Sequence, residues 1–205
     1  LDADLYIVLD HVQFVYGSRA WTHRDKIKTA AGEKWLTVSV NKPPRNTAIN
    51  KVKLSIETNW QKNNLALLQE NYSKAAYYSE IFPEIETLYA KQYDNLSEFN
   101  LGSIKMIMSL LDIEIPWVFS SSLEPQGTKN ALLVDLLKKV DATHYLSGIG
   151  AKDYFDPEPF KEANIHLVWQ QFNHPIYPQL HGDFISHLSS LDMLFNCGIK
   201  NARKI

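Results

Sequence analysis

At 205 residues the chain is longer than the usual single-domain size of about 100–150 and shorter than two such domains, which predicts one compact domain spanning 1–205 with embellishments. Hydrophobic residues make up 45% and charged residues 21%, a balance that supports a buried core and excludes an intrinsically disordered chain. The 21 Lys and Arg against 23 Asp and Glu leave a net charge of −2, which disfavours nucleic acid as a partner.

The chain enters almost at once into Leu5-Tyr6-Ile7-Val8-Leu9, a continuous apolar run of the kind shown by a strand covered on both faces. Residues 35–40 (WLTVSV) and 52–56 (VKLSI) predict two further strands, separated by a loop around Pro43-Pro44. From Asn59 to about Tyr93 the period becomes helical, with Trp60, Leu65, Leu68 and Tyr72 in one helix and Ile81, Ile85, Leu88 and Tyr89 in a second around Pro83. Residues 96–111 predict a third helix, apolar on nearly every side and therefore internal. Residues 59–111 read as a helical insertion between sheet halves. Strand and helix then alternate: strands at 115–119, 143–146 and 165–169, helices at 130–140 and 157–163, and a closing helix at 189–196. This alternation predicts an α/β fold with a mostly parallel sheet and flanking helices. No apolar stretch reaches the roughly 18 residues of a membrane span and no secretory leader pattern is present. The one cysteine, Cys197, cannot form an internal disulfide, so a cytoplasmic location is expected.

Ligands of parallel α/β sheets gather beyond the carboxyl ends of the strands, so the polar residues after each predicted strand are the candidates. After the first come Asp10 and His11, which can supply an acid, a base or a metal ligand, and then Gln13. The loop expected over residues 18–28 carries Arg19, His23, Arg24, Lys26 and Lys28, a composition that suits phosphate or carboxylate and equally suits a solvated loop. Ser120-Ser121-Ser122 follow the next strand, to cradle phosphate through backbone amides or to cap a helix. Gly148, Gly150 and Lys152 form a small anion-loop pattern without the spacing of a dinucleotide or Walker motif. His174, Tyr177 and Gln179 can read a sugar or base by stacking and hydrogen bonding. His181, Asp183, His187 and Asp192 follow, but without a His pair at helical spacing or a Cys partner they predict no metal site. Trp21, set among cations, is a contact candidate, and the other four tryptophans read as core.

Seven collinear segments resemble the WbqC-like protein family: Asp10-His11-Val12-Gln13-Phe14; Arg19 to Lys28, ending Lys26-Ile27-Lys28; Trp35 to Val40; Asn71-Tyr72-Ser73-Lys74-Ala75; Ser120-Ser121-Ser122-Leu123; Tyr145 to Tyr154; and His174 to Gln179, followed by Phe184 and Leu188 to Gly198. The resemblance covers nearly the whole chain. It departs at His11, where relatives carry a second aspartate, and at Thr22-His23 and Asp25, where relatives tend to carry Arg or Asn. Relatives also open with a further strand and a turn containing Gln-Pro-Tyr that leads into a helix. The resemblance therefore implies an N-terminal strand missing from this chain, and by fold-level analogy a Rossmann-like, nucleotide-binding arrangement.

The family implies association with bacterial surface-polysaccharide clusters, particularly O-antigen. Joined to the residues above, it leads to an enzyme that modifies a nucleotide-activated amino sugar, a transferase working by acyl or aminoacyl transfer. Arg19, Arg24 and Lys28 hold phosphate in this reading, and Asp10 or His11 serves as base. The alternative is a non-catalytic nucleotide or carbohydrate binding protein in a biosynthetic assembly. No cofactor and no oligomeric state follows from the sequence. The strand ends at Asp10, Ser120 and Ser147 are expected to converge on one crevice with His174 and Gln179.

Overall fold

The computed structural model describes residues 2–17 and 20–205, with residues 153 and 154 as backbone alone, so the expectation placed on Arg19 lies outside the described residues. The strands are β1 (Tyr6–Val8), β2 (Arg24–Thr29), β3 (Gly32–Thr37), β4 (Trp117–Phe119), β5 (His144–Gly148) and β6 (His166–Gln170). The helices are α1 (Trp60–Tyr72), α2 (Tyr78–Ala90), α3 (Leu96–Leu111), α4 (Lys129–Lys139), α5 (Glu158–Glu162) and α6 (Ser190–Ala202). The protein is a mixed α/β structure whose contacts gather into two compact units, Leu1–His11 with Ile115–Asn173, and Val12–Glu114 with His174–Ile205.

In the first unit β1 pairs parallel with β4, and β5 pairs parallel with β6. α5 returns the chain from the end of β5 to the start of β6, which makes that pair parallel, whereas the chain between β1 and β4 runs through β2, β3 and α1 to α3. Val134 and Leu137 of α4 bury against Phe160 and Ile165, with Ile7 of β1 and Tyr145 of β5 packed on that cluster. Instead of one continuous parallel sheet, the described strands form three two-stranded sheets.

The second unit holds the antiparallel hairpin β2–β3 and helices α1, α2, α3 and α6. Residues 24–28, expected as a loop, are a strand. Their period of two was masked by cations: Asp25 and Ile27 alternate with Arg24, Lys26 and Lys28, and Ile27 is fully buried. The strand expected at 52–56 is reduced to isolated bridges, Val40 with Leu54 and Lys53 with Asn95. The carbonyl of Val52 accepts the Leu96 N–H at the start of α3, so this backbone completes a helix terminus instead of a ladder. α3 is not internal as its composition predicts. Only Leu96, Ser97 and Phe99 are buried, because its C-terminal half borders an open cleft. Asn95 caps it by accepting the Glu98 N–H at 3.0 Å, while the Glu98 carboxylate reaches back to the Asp94 N–H.

Candidate functional site

β1 and β4 run side by side, so the residues just past their carboxyl ends meet. Asp10 follows β1 after a tight turn in which its N–H donates to the Val8 carbonyl, and Ser120 opens a 3-10 turn, Ser120–Leu123, directly after β4. The Ser120 hydroxyl donates to the Asp10 carboxylate at 3.0 Å, as do the Ser121 N–H at 2.9 Å and the Ser121 hydroxyl at 2.6 Å. The serine run thus serves both readings held open for it, since its amide and hydroxyls grip an anion and that anion is the protein's own Asp10. Ser120 is fully buried and Asp10 nearly so, which makes these charge-assisted bonds strong.

His11 completes the cluster, with Nδ1 2.6 Å from the Ser120 oxygen. A hydroxyl has one proton, and here it points to Asp10; His11 Nδ1 must then be the donor to Ser120. The ring lone pair is left on Nε2. Asp10, His11 and Ser120 are the sequence candidates that the structure brings together in this unit.

Gly148 ends β5 and Gly150 and Lys152 follow it, all three exposed. Neither glycine has a positive φ, and a Cβ on either would meet nothing within 4 Å, so the backbone here is open and not shaped by a special dihedral. Ser147 is buried in β5.

The remaining candidates belong to the second unit. Lys28 is 1% exposed. Its ammonium donates to Gln179 Oε1 at 3.1 Å, to the Gly182 carbonyl at 3.1 Å and to the Asp183 carbonyl at 2.5 Å, which matches its three donors. Gln179 also bonds both backbone groups of Ile185, so Lys28 and Gln179 together fix the 179–185 loop. Arg24 donates to the carbonyls of Ala20 and Gly17 and lays its guanidinium 4.0 Å over the Trp35 ring. Gln13 is exposed and bridges Ala48 through its backbone. Trp21 is 55% exposed and meets Trp35 edge-on. His174 donates from Nδ1 to the Pro175 carbonyl and accepts the His187 N–H at Nε2, which fixes its tautomer.

Asp192 of α6, named from the sequence only among the residues that predict no metal site, is fully buried. It accepts the Tyr72 hydroxyl at 2.7 Å, Tyr72 in turn accepts the Lys28 N–H, and Tyr177 and Lys28 lie close by. Burial raises its carboxyl above the usual carboxylate range, against the opposing pull of the Tyr72 and Tyr177 hydroxyls and the Lys28 charge. Burial, with Asp192 beside it, likewise raises the Cys197 thiol. A single Asp inside the apolar run Leu191 to Phe195 was the available signal. No group of three or more His, Cys, Asp or Glu side chains among the described residues is arranged to hold a metal, and no described helix is long and apolar enough to cross a membrane.

A model of the WbqC-like protein family matches residues 1–204. A protein of Mycobacterium tuberculosis (strain ATCC 25618 / H37Rv) described as Uncharacterized protein Rv1507c is 34% identical over 197 residues, which covers 95% of this chain and 84% of that protein. No solved structure matches.

Proposed function

The chain belongs to the WbqC-like protein family, and from that premise we propose that it is a cytoplasmic transferase of bacterial surface-polysaccharide synthesis that modifies a nucleotide-activated amino sugar. The observation that carries this reading is the line of hydrogen bonds from His11 through Ser120 to Asp10 at the ends of two parallel strands. Acyl or aminoacyl transfer from an ester or thioester donor to an amine needs a base that takes the amine proton as the nitrogen attacks the acyl carbon; the C–O or C–S bond then breaks and the alcohol or thiol leaves with that proton, a task suited to an imidazole at pH 7. His11 Nε2 is that base in this proposal. Asp10 acts through Ser120 as the positioning group and does not itself reach the substrate.

In this proposal phosphate is taken by the exposed turn of Gly148, Gly150 and Lys152, in the way a Rossmann-like fold uses a loop after a strand. The same proposal takes residues 1–205 as one domain with 59–111 as its helical insertion. A second reading, a non-catalytic nucleotide or carbohydrate binding protein, is favoured by one observation: the Asp10 carboxylate is engaged by Ser120 and Ser121, so the cluster can serve to hold its own turn.

The test is a thermal-shift screen against nucleoside diphosphates and nucleotide-activated amino sugars, followed by turnover assays with His11→Ala. A ligand at about 100 times its Kd adds about 2.7 kcal/mol and raises the midpoint visibly. The enzyme reading expects His11→Ala to bind the selected sugar and lose turnover by about 100-fold or more. Binding without turnover in the parent protein selects the second reading, and a flat screen removes both.

A further inference from the structure

The second unit contains a cleft of about 500 Å³, within the range of small-molecule sites. α3 forms one wall over residues 99–108, and from Asn100 to Met108 the cleft follows about 12 Å of the helix axis. Ile104, Met106, Ile107 and Met108 contribute the apolar surface of that wall, and Ile85 and Leu88 of α2 and Leu36 of β3 face it. Apolar side chains on a packed helix are ordinarily buried; here those of α3 are half-exposed because the cleft is open along them. Methionines suit such a wall, since their unbranched side chains adapt to what enters.

One end of the cleft is polar. Asp25 and Leu36 are cross-strand partners and both line it. The Asp25 carboxylate receives the Lys26 N–H at 2.8 Å and the hydroxyl of Ser189, the residue that caps α6. An ionised carboxylate has about four acceptor positions, so two donors leave capacity for a ligand. His23, 8% exposed and wedged between Phe14 and Tyr16, also borders the cleft, with Nδ1 buried and without a hydrogen-bond partner. Arg24 borders it too, but its guanidinium lies over Trp35. The charged group at the inner hairpin face is therefore a carboxylate.

We propose that this cleft binds a small organic amine, its apolar body lying along α3 and its ammonium against the Asp25 carboxylate. A half-buried carboxylate gains more from a cationic donor than from a neutral one, because the pair forms charge-assisted bonds where water is partly excluded. The site is built by residues of the second unit alone and does not rest on the transferase reading.

The experiment uses the full chain with its three methionines labelled at the methyl carbon. Met106 and Met108 line the cleft and Met193 does not, so Met193 is an internal control. The probes are hexylamine, 1-hexanol and hexanoate, which share a tail and differ in the head. The expected result is a saturable shift of the Met106 and Met108 signals with hexylamine, an unmoved Met193, weaker binding of hexanol and weaker still of hexanoate. Asp25→Asn should weaken hexylamine by about tenfold or more and leave hexanol unchanged. If that variant fails to fold, the three-probe comparison on the parent chain still decides. Hexanoate binding as tightly as hexylamine overturns the proposal, as does the absence of shifts with all three. Signals of Met106 and Met108 that move with protein concentration alone would assign the cleft to a second copy of the chain and overturn it equally.

Discussion

Single residues in this protein are tuned by what excludes water from them. Ser120 is the clearest case: it is the donor to Asp10 and the acceptor for His11, and it is fully buried. Ser120→Ala should leave His11 Nδ1 without its acceptor and remove one of the donors to Asp10, at a cost of about 1–3 kcal/mol in urea unfolding, whereas exposed Ser122→Ala should stay within about 0.5 kcal/mol. Equal losses for the two would show that the line of bonds contributes nothing. His23 gives a pH signature. Desolvation, and then the neighbouring Arg24 charge, hold its pKa below the ordinary 6.5. Between the folded value and 6.5 the unfolded chain binds more protons, so this contribution is present above pH 6.5 and is lost as pH falls through that window. Asp25 and Asp192 act in the opposite sense, since burial raises both: their contribution is greatest below 3.8 and declines as pH rises from there. The difference between the parent and His23→Phe isolates the histidine. The parent's midpoint should fall more steeply from pH 7 to 5 than the variant's, and parallel curves would refute the assignment.

Among the elements, α6 shows how one backbone angle fixes a packing surface. Gly198 interrupts it with φ 71 and ψ 166, a conformation that belongs essentially to glycine, and a Cβ there would overlap the Tyr77 ring. Gly198→Ala should lose about 3 kcal/mol or more, strain and overpacking together, by urea unfolding; a loss under about 1 kcal/mol would mean that the kink relaxes freely. α2 carries the opposite lesson. Pro83 sits inside it and removes a helix hydrogen bond, yet the helix runs on from Tyr78 to Ala90. Ile81, Ile85 and Leu88 are buried on one side of it, and that burial outweighs the lost bond. The expected helical signal around Pro83 therefore survives the proline.

At the scale of the whole molecule, the two compact units have unequal cores. The second unit buries Ile27, Leu68, Tyr72, Ile81, Ile85, Leu194 and Phe195 in one cluster, with a further cluster around Val52, Trp60 and Leu96; the first buries Val134, Leu137, Phe160 and Ile165. Amide hydrogen exchange should therefore be slowest at Leu68, Ile85 and Leu194 and faster in the three-residue strands β1 and β4, because local opening tracks buried apolar contact. Equal protection in the two would contradict this. The sequence by itself determined the α/β class, the existence of the six helices found among the described residues, and the polar residues placed after β1, β4 and β5, because apolar periodicity and strand-end position are local properties. It also carried the family resemblance through collinear motifs. It did not determine that residues 24–28 pair as a strand, since their alternation lay under a run of cations, nor that 52–56 would complete the start of α3. Only the tertiary structure decided which polar residues meet. Asp10 and Ser120 are 110 positions apart, Lys28 and Gln179 are 151 apart, and each pair meets because strands and loops distant in sequence pack together. The same packing left the apolar side of α3 half-open, which its composition alone did not foretell, because whether an apolar face is covered depends on what the rest of the chain brings to it.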